Sequence, residues 1–184
     1  MRVVPAEIPG VLLVEPDVHR DDRGYFLETF HADKYRAAGI AGPFVQDNHS
    51  RSVVDTVRGL HMQIDPAQAK LIRVVEGEIF DVAVDLRRGS PTFGRWVGHT
   101  LSAGNFRQCY IPHGFAHAFC VRSAFALVEY KCSAFYNPAG EIGVAWNDPA
   151  IGIRWPIERP LLSPRDERNP RLAEVMAVLP DYRA

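Results

Sequence analysis

The sequence predicts an all-β domain of the sandwich or small-barrel class. Three observations carry this reading. Short apolar runs recur at a spacing of about 8–12 residues with turn residues between them. The 14 glycines and 14 prolines are scattered between the runs rather than gathered into a linker. Only two stretches have helical character, and both are short. A chain of 184 residues with no internal repeat or low-complexity segment fits a single domain over residues 1–184.

The elements follow in order. Val11 to Glu15 is a short apolar run, and Tyr25 to Phe30 follows the turn Asp21-Asp22-Arg23-Gly24. His31 to Ala38 is mildly helical and stops at Gly39. Leu60 to Gln63, Lys70 to Val75 and Glu78 to Leu86 read as consecutive strands, with a tight hairpin at Glu76-Gly77. Further strands are predicted at Gly94 to Leu101, Arg107 to Ile111, Ala116 to Val121 and Phe125 to Cys132. Beyond Pro138 the chain is looser, with one short helix predicted over Arg171 to Val178.

Composition excludes several classes. A chain that is 47% apolar and 23% charged is not disordered. With 21 basic and 22 acidic residues it has no bulk attraction for nucleic acid or for an anionic membrane, so an anionic ligand needs a local basic pocket. No run approaches the roughly 18 apolar residues of a membrane span. Pro5, Glu7, Pro9 and Gly10 break any apolar leader. Cys109, Cys120 and Cys132 are odd in number and lie in strand-like segments, which suits buried thiols in a reducing compartment. A cytoplasmic location is expected.

The informative residues are polar groups inside strand patterns. His61 and Gln63 share a strand face, Lys70 opens the next strand, and Asp81, His117 and Tyr130-Lys131 interrupt others. Singly each has a bland reading: Lys70 as an edge-strand lysine that discourages aggregation, Asp81 as an acceptor of backbone hydrogen bonds, His113 as a surface residue. On neighbouring strands, however, buried ammonium and imidazole groups cost several kcal/mol unless paired or used, so together they predict a polar cavity. Arg58 and His61 have opposite strand parity. A bulge at Arg58-Gly59-Leu60 would let both face inward.

Pro112-x-Gly114-x-x-His117 resembles the second motif of the cupin superfamily, which implies a jelly roll with a few short helices. Metal-binding cupins carry an H-x-H pair followed by Glu. Here His61-Met62-Gln63 and Lys70 stand in that region, and a poor ligand beside an ammonium argues for an anion or enolate site with no metal.

Over nearly its whole length the chain resembles the dTDP-4-dehydrorhamnose 3,5-epimerase family. The matching stretches include Asp22-Arg23-Gly24-Tyr25-Phe26-Leu27-Glu28, Gln46-Asp47-Asn48-His49-Ser50 and Arg58-Gly59-Leu60-His61-Met62-Gln63. Ala69-Lys70-Leu71, Phe80-Asp81-Val82-Ala83-Val84-Asp85-Leu86-Arg87 and Ser90-Pro91-Thr92-Phe93-Gly94 continue the series. Ile111-Pro112-His113-Gly114-Phe115-Ala116-His117, Tyr130-Lys131, Trp146-Asn147-Asp148-Pro149 and Leu162-Ser163-Pro164-Arg165-Asp166 complete it.

The resemblance implies epimerisation at C3, C5 or both of a dTDP-4-keto-6-deoxyhexose, with no cofactor. It implies that His61 is the general base, Asp166 its orienting carboxylate, Tyr130 the general acid and Lys70 the stabiliser of the C4 oxyanion. Gln46, Asn48, Arg58, Gln63, His117, Glu141 and Arg165 match substrate contacts, and Tyr136 the aromatic that stacks on thymine. Arg23, Phe26 and Glu28 match a segment that enters the neighbouring subunit's site, which implies a homodimer with composite sites. These residue types suit the chemistry, because inversion beside a ketone needs a base, an acid on the other face and a cation at the oxygen. Phe135, Met62, Arg165 and Ala118 depart from the family's usual residues. Phe135 and Met62 are expected to border the sugar pocket and to bear on which carbons are inverted. The alternatives are a single-centre epimerase acting on another nucleotide-linked 4-keto sugar, and a non-catalytic cupin that binds a sugar nucleotide. A metal-dependent cupin oxygenase is disfavoured by Gln63 and Lys70.

Overall fold

Alternation of apolar side chains decides which face each strand buries, and here it builds two antiparallel sheets packed face to face. The computed structural model describes residues 1–40 and 42–183. In chain order the strands and helices are β1 (Arg2–Pro5), β2 (Leu12–Glu15), β3 (Val18–Asp21), β4 (Gly24–Leu27), α1 (Ala32–Ala37), β5 (Gln46–Val53), β6 (Val57–Gln63) and β7 (Lys70–Glu76). They continue with β8 (Glu78–Asp85), β9 (Trp96–Ser102), β10 (Gln108–Ile111), β11 (Phe115–Val121), β12 (Phe125–Cys132), β13 (Glu141–Gly143) and α2 (Leu172–Val175). One sheet runs β1-β2-β10-β7-β12-β5, the other β13-β6-β11-β8-β9, and β3-β4 forms a separate hairpin. This is the jelly roll that the sequence implies.

Inward residues of both sheets, among them Leu13, Ile72, Val74, Ile79, Phe119, Val121 and Val128, form the central core. Full burial of each large apolar side chain stabilises the fold by about 1.5–3 kcal/mol. The outer face of the five-stranded sheet (Leu60, Met62, Val82, Val84, Ala116) is covered by the C-terminal segment through Ile151, Leu172, Val175 and Leu179. Tyr35 of α1 and Ile40 cover Val14, Leu71 and Tyr110 on the other sheet. Cys109, Cys120 and Cys132 are buried free thiols. Among the described residues no helix is long and apolar enough to cross a membrane.

Several elements differ from their sequence-based limits. The helix predicted over Arg171 to Val178 is divided into α2 and a 3-10 turn at Met176–Val178. The strand predicted over Tyr25 to Phe30 ends at Leu27. Gly77 takes φ +82° in the hairpin between β7 and β8, and a Cβ there would run into the Phe125 carbonyl. The bulge on β6 is present: His117 faces His61 while Phe119 faces Arg58, so two residues of β6, Gly59 and Leu60, oppose one of β11, Ala118. Gly59 takes φ +107°, and a Cβ there would collide with the His117 carbonyl and Ala118. The extra residue places Arg58 and His61 on the same side of the strand, and both line one cavity.

Candidate active site

At one end of the space between the sheets the inward positions turn from apolar to polar. On β7 the inward row Val74, Ile72 ends at Lys70, and on β12 Ala126 and Val128 give way to Tyr130. His61 and Arg58 of β6 and His117 of β11 enter from the opposite sheet. Glu141 of β13 and the segment carrying Ser163, Arg165 and Asp166 close the remaining side of a cavity of ≈ 290 Å³.

His61 Nε2 lies 2.6 Å from Asp166 Oδ1. A proton on Nε2 satisfies that carboxylate and leaves Nδ1 with its lone pair. Asp166 is 4% exposed, its backbone N–H donates to Ser163 Oγ at 3.1 Å, and Asn169 Nδ2 donates to its Oδ1 at 3.4 Å. Burial pushes its pKa up, but hydrogen bonding to and the charge of His61, helped by Ser163 and the Gly59 N–H, outweigh this and hold it below the usual value. Asp166 is therefore an anion set to balance charge on the imidazole.

A second pair lies beside the first. His117 Nε2 is 2.6 Å from Asp81 Oδ1, and both side chains are buried. Arg58 Nε donates to Ser52 Oγ at 2.9 Å. Lys70 Nζ lies 6.0 Å from the centre of the Tyr130 ring. Burial pulls the Lys70 pKa down, against the opposing charges of Cys132, Glu141 and Asp81. Burial pushes the Tyr130 phenol up, so it keeps its proton at neutral pH. At the rim Glu141 accepts from Tyr136 Oη at 3.0 Å and forms an ion pair with Arg165. Gln46 Nε2 donates to Asn48 Oδ1 at 2.9 Å, and its Oε1 accepts the Tyr136 N–H at 2.8 Å.

Most of the residues predicted for the site converge, but not all. Gln63 is 3% exposed, and its amide is spent on the carbonyls of Pro66 and Phe135 and on the Asn137 N–H. It pins the loop that carries Tyr136 and does not line the cavity. Met62 points to the opposite face of β6 and is packed with Leu60 and Val82, so it does not border this cavity. The Phe135 ring is 68% exposed and does not line the cavity. Arg23 is paired with Asp21, Phe26 is stacked on His19, and Glu28 is paired with Lys34, so within one chain none of the three reaches the site. Ser50, Phe119 and Ser163 line the cavity but were not singled out. The signal for Ser50 was its place two residues beyond Asn48 in an alternating polar strand.

The donors do not suit a divalent cation. Both imidazoles give Nε2 to a carboxylate, Lys70 enters the same cavity, and among the described residues no three His, Cys, Asp or Glu side chains converge as a ligand set. Turnover is accordingly expected to survive exhaustive chelation. Activity lost to a chelator and restored by one metal ion would contradict this assignment.

Residues 5–174 match the family described as dTDP-4-dehydrorhamnose 3,5-epimerase. A dTDP-4-dehydrorhamnose 3,5-epimerase of Shigella flexneri is 53% identical over 168 residues, covering 90% of this chain and 93% of that protein. A dTDP-4-dehydrorhamnose 3-epimerase of Streptomyces niveus is 43% identical, covering 99% of this chain and 90% of that one. The crystal structure of a dTDP-6-deoxy-D-glucose-3,5-epimerase of Legionella pneumophila in complex with dTDP-4-keto-L-rhamnose superimposes with a TM-score of 0.97. It is 46% identical and covers 100% of this chain and 99% of that one.

Proposed function

The chain belongs to the dTDP-4-dehydrorhamnose 3,5-epimerase family, and from that premise we propose that it is a cofactor-independent isomerase inverting a dTDP-4-keto-6-deoxyhexose beside its C4 ketone. The observation that supports this most directly is the placing of His61 and Tyr130 on opposite sheets across one cavity that also holds Lys70. His61 Nδ1 takes the proton from a carbon flanking the ketone, and the electron pair moves onto the C4 oxygen. Asp166 balances the charge on the ring, and the Lys70 ammonium stabilises the oxyanion. Tyr130 Oη returns a proton from the other face, and exchange with solvent restores both groups. Arg58, His117 and Arg165 hold the diphosphate, for which guanidinium forks are suited. Tyr136 stacks on the base. The experiment is NMR of dTDP-4-keto-6-deoxyglucose incubated with the protein in deuterated water. Deuterium at C3 and C5 with inversion supports the reading, and tight binding without exchange would instead mark a sugar-nucleotide-binding protein. A second reading, inversion at C3 alone, takes its support from the Streptomyces niveus relative, and the same spectra separate the two.

The active form is a homodimer with composite sites. The β3-β4 hairpin belongs to neither large sheet, and its Tyr25 and Phe26 are 55% and 70% exposed. The eight-residue β5 is an open edge that a second copy's strand could extend. Arg23, Phe26 and Glu28 would then enter the partner's cavity. Light scattering is expected to give twice the chain's mass under assay conditions. An active monomer would overturn the composite site.

A further inference from the structure

We propose that Ser50 is a specificity-determining residue that hydrogen-bonds a ring hydroxyl of the sugar. The inference rests on the epimerase reading of the cavity. Its origin is the inward row of β5, Gln46, Asn48, Ser50 and Ser52, which faces the inward residues Cys132, Tyr130, Val128 and Ala126 of β12. Three of the four polar residues are already spent. Gln46 donates to Asn48 and accepts the Tyr136 N–H. Asn48 accepts from Gln46 and donates to Cys132 Sγ at 3.5 Å. Ser52 accepts from Arg58 Nε. Of these four, only Ser50 has a side-chain oxygen that is shielded from solvent with no protein group within hydrogen-bond distance, and its residue lines the cavity with His61 and Tyr130.

A buried hydroxyl left without a partner is destabilising, and alanine at this position would escape that cost. The hydroxyl is therefore explained by a ligand atom. Its place in the row narrows the choice. Ser50 lies between Asn48, across from Tyr130, and Ser52, the anchor of Arg58. That is the stretch between the proton donor and the diphosphate-binding guanidinium, where the hexose ring must lie. The cavity meets the diphosphate with cations, whereas a neutral hydroxyl that both donates and accepts suits a sugar hydroxyl. Because it rotates, it can follow the C3 hydroxyl through a change of configuration.

The test compares Ser50→Ala with the parent protein in two assays: binding of dTDP and of dTDP-glucose by calorimetry, and turnover of dTDP-4-keto-6-deoxyglucose. Removing one neutral hydrogen bond is expected to weaken dTDP-glucose about 3–10-fold and to raise KM similarly, while dTDP binding stays unchanged. Equal weakening of both ligands would place Ser50 at the diphosphate and overturn the proposal, as would no weakening of either. Ser50→Thr, which keeps the hydroxyl, is expected to restore part of the discrimination between the two ligands. Its failure to do so would count against a hydrogen bond. If the parent protein turns over the keto sugar and Ser50→Ala does not change sugar binding, only the Ser50 assignment falls. If the parent protein does not turn over, the epimerase reading falls and takes this proposal with it.

Discussion

His61→Ala is expected to abolish deuterium incorporation and epimerisation together, whereas Tyr130→Phe is expected to separate them. The imidazole is the group held by Asp166 at 2.6 Å through Nε2, which leaves Nδ1 for the substrate's proton, so without it no proton leaves the carbon beside the ketone and no enolate forms. In Tyr130→Phe the base, its carboxylate and Lys70 all remain. The enolate still forms and takes deuterium back on the face from which the proton left. The signature is exchange that outruns inversion. General acid–base groups contribute about 10²–10⁴-fold, so both losses lie well inside the range of an NMR time course. Undiminished inversion by Tyr130→Phe would transfer the acid's role to another donor. Full exchange by His61→Ala would remove His61 as the base.

Lys70→Met is expected to slow exchange by about 10²–10³-fold and at the same time to raise Tm. Loss of one donor at a developing oxyanion has a cost of that order. The stability gain follows from burial, which lowers the lysine pKa in the folded chain. The folded protein then binds that proton less tightly than the unfolded one. The charged lysine thus weighs against folding at neutral pH, and the penalty fades as pH rises from the folded value toward the unfolded one. The change leaves the neighbouring ion pairs intact. Glu141 keeps Arg165 and Asp81 keeps His117. A calorimetric scan showing lower Tm with normal exchange would mean that Lys70 serves structure rather than the oxyanion.

The strands that bury one apolar face were legible in the sequence, and β7, β8, β10, β11 and β12 lie within two residues of their expected limits. β5 was not. Its inward residues are the polar Gln46, Asn48, Ser50 and Ser52, and Asp47, His49 and Arg51 face outward, so no apolar alternation marks it as a strand. The site conceals the element that builds it, and Ser50 was overlooked with it. β13 is too short to show a period, and it reaches the sheet only by pairing with β6. The convergence of His61, Lys70, His117 and Tyr130 could be inferred because each breaks an otherwise apolar pattern. The fate of Gln63 could not, since same-face parity says nothing about whether an amide is claimed by the backbone of a distant loop.

The β6 bulge also turns the strand into a ruler. Arg58 and His61 stand on one side of it, three residues apart, and Gly59 between them admits no side chain that could alter the spacing. If Arg58 grips the diphosphate, the reach from phosphate to proton acceptor is set by covalent geometry and one ladder of hydrogen bonds, not by a movable loop. Such a gauge admits sugars whose acidic carbon lies at one fixed distance from the anchor. An analogue with one phosphate fewer would bind out of alignment, and even about 1 Å of misplacement can cost 10²-fold in rate. Discrimination by length would thus be built into the backbone, before any contact with the sugar itself.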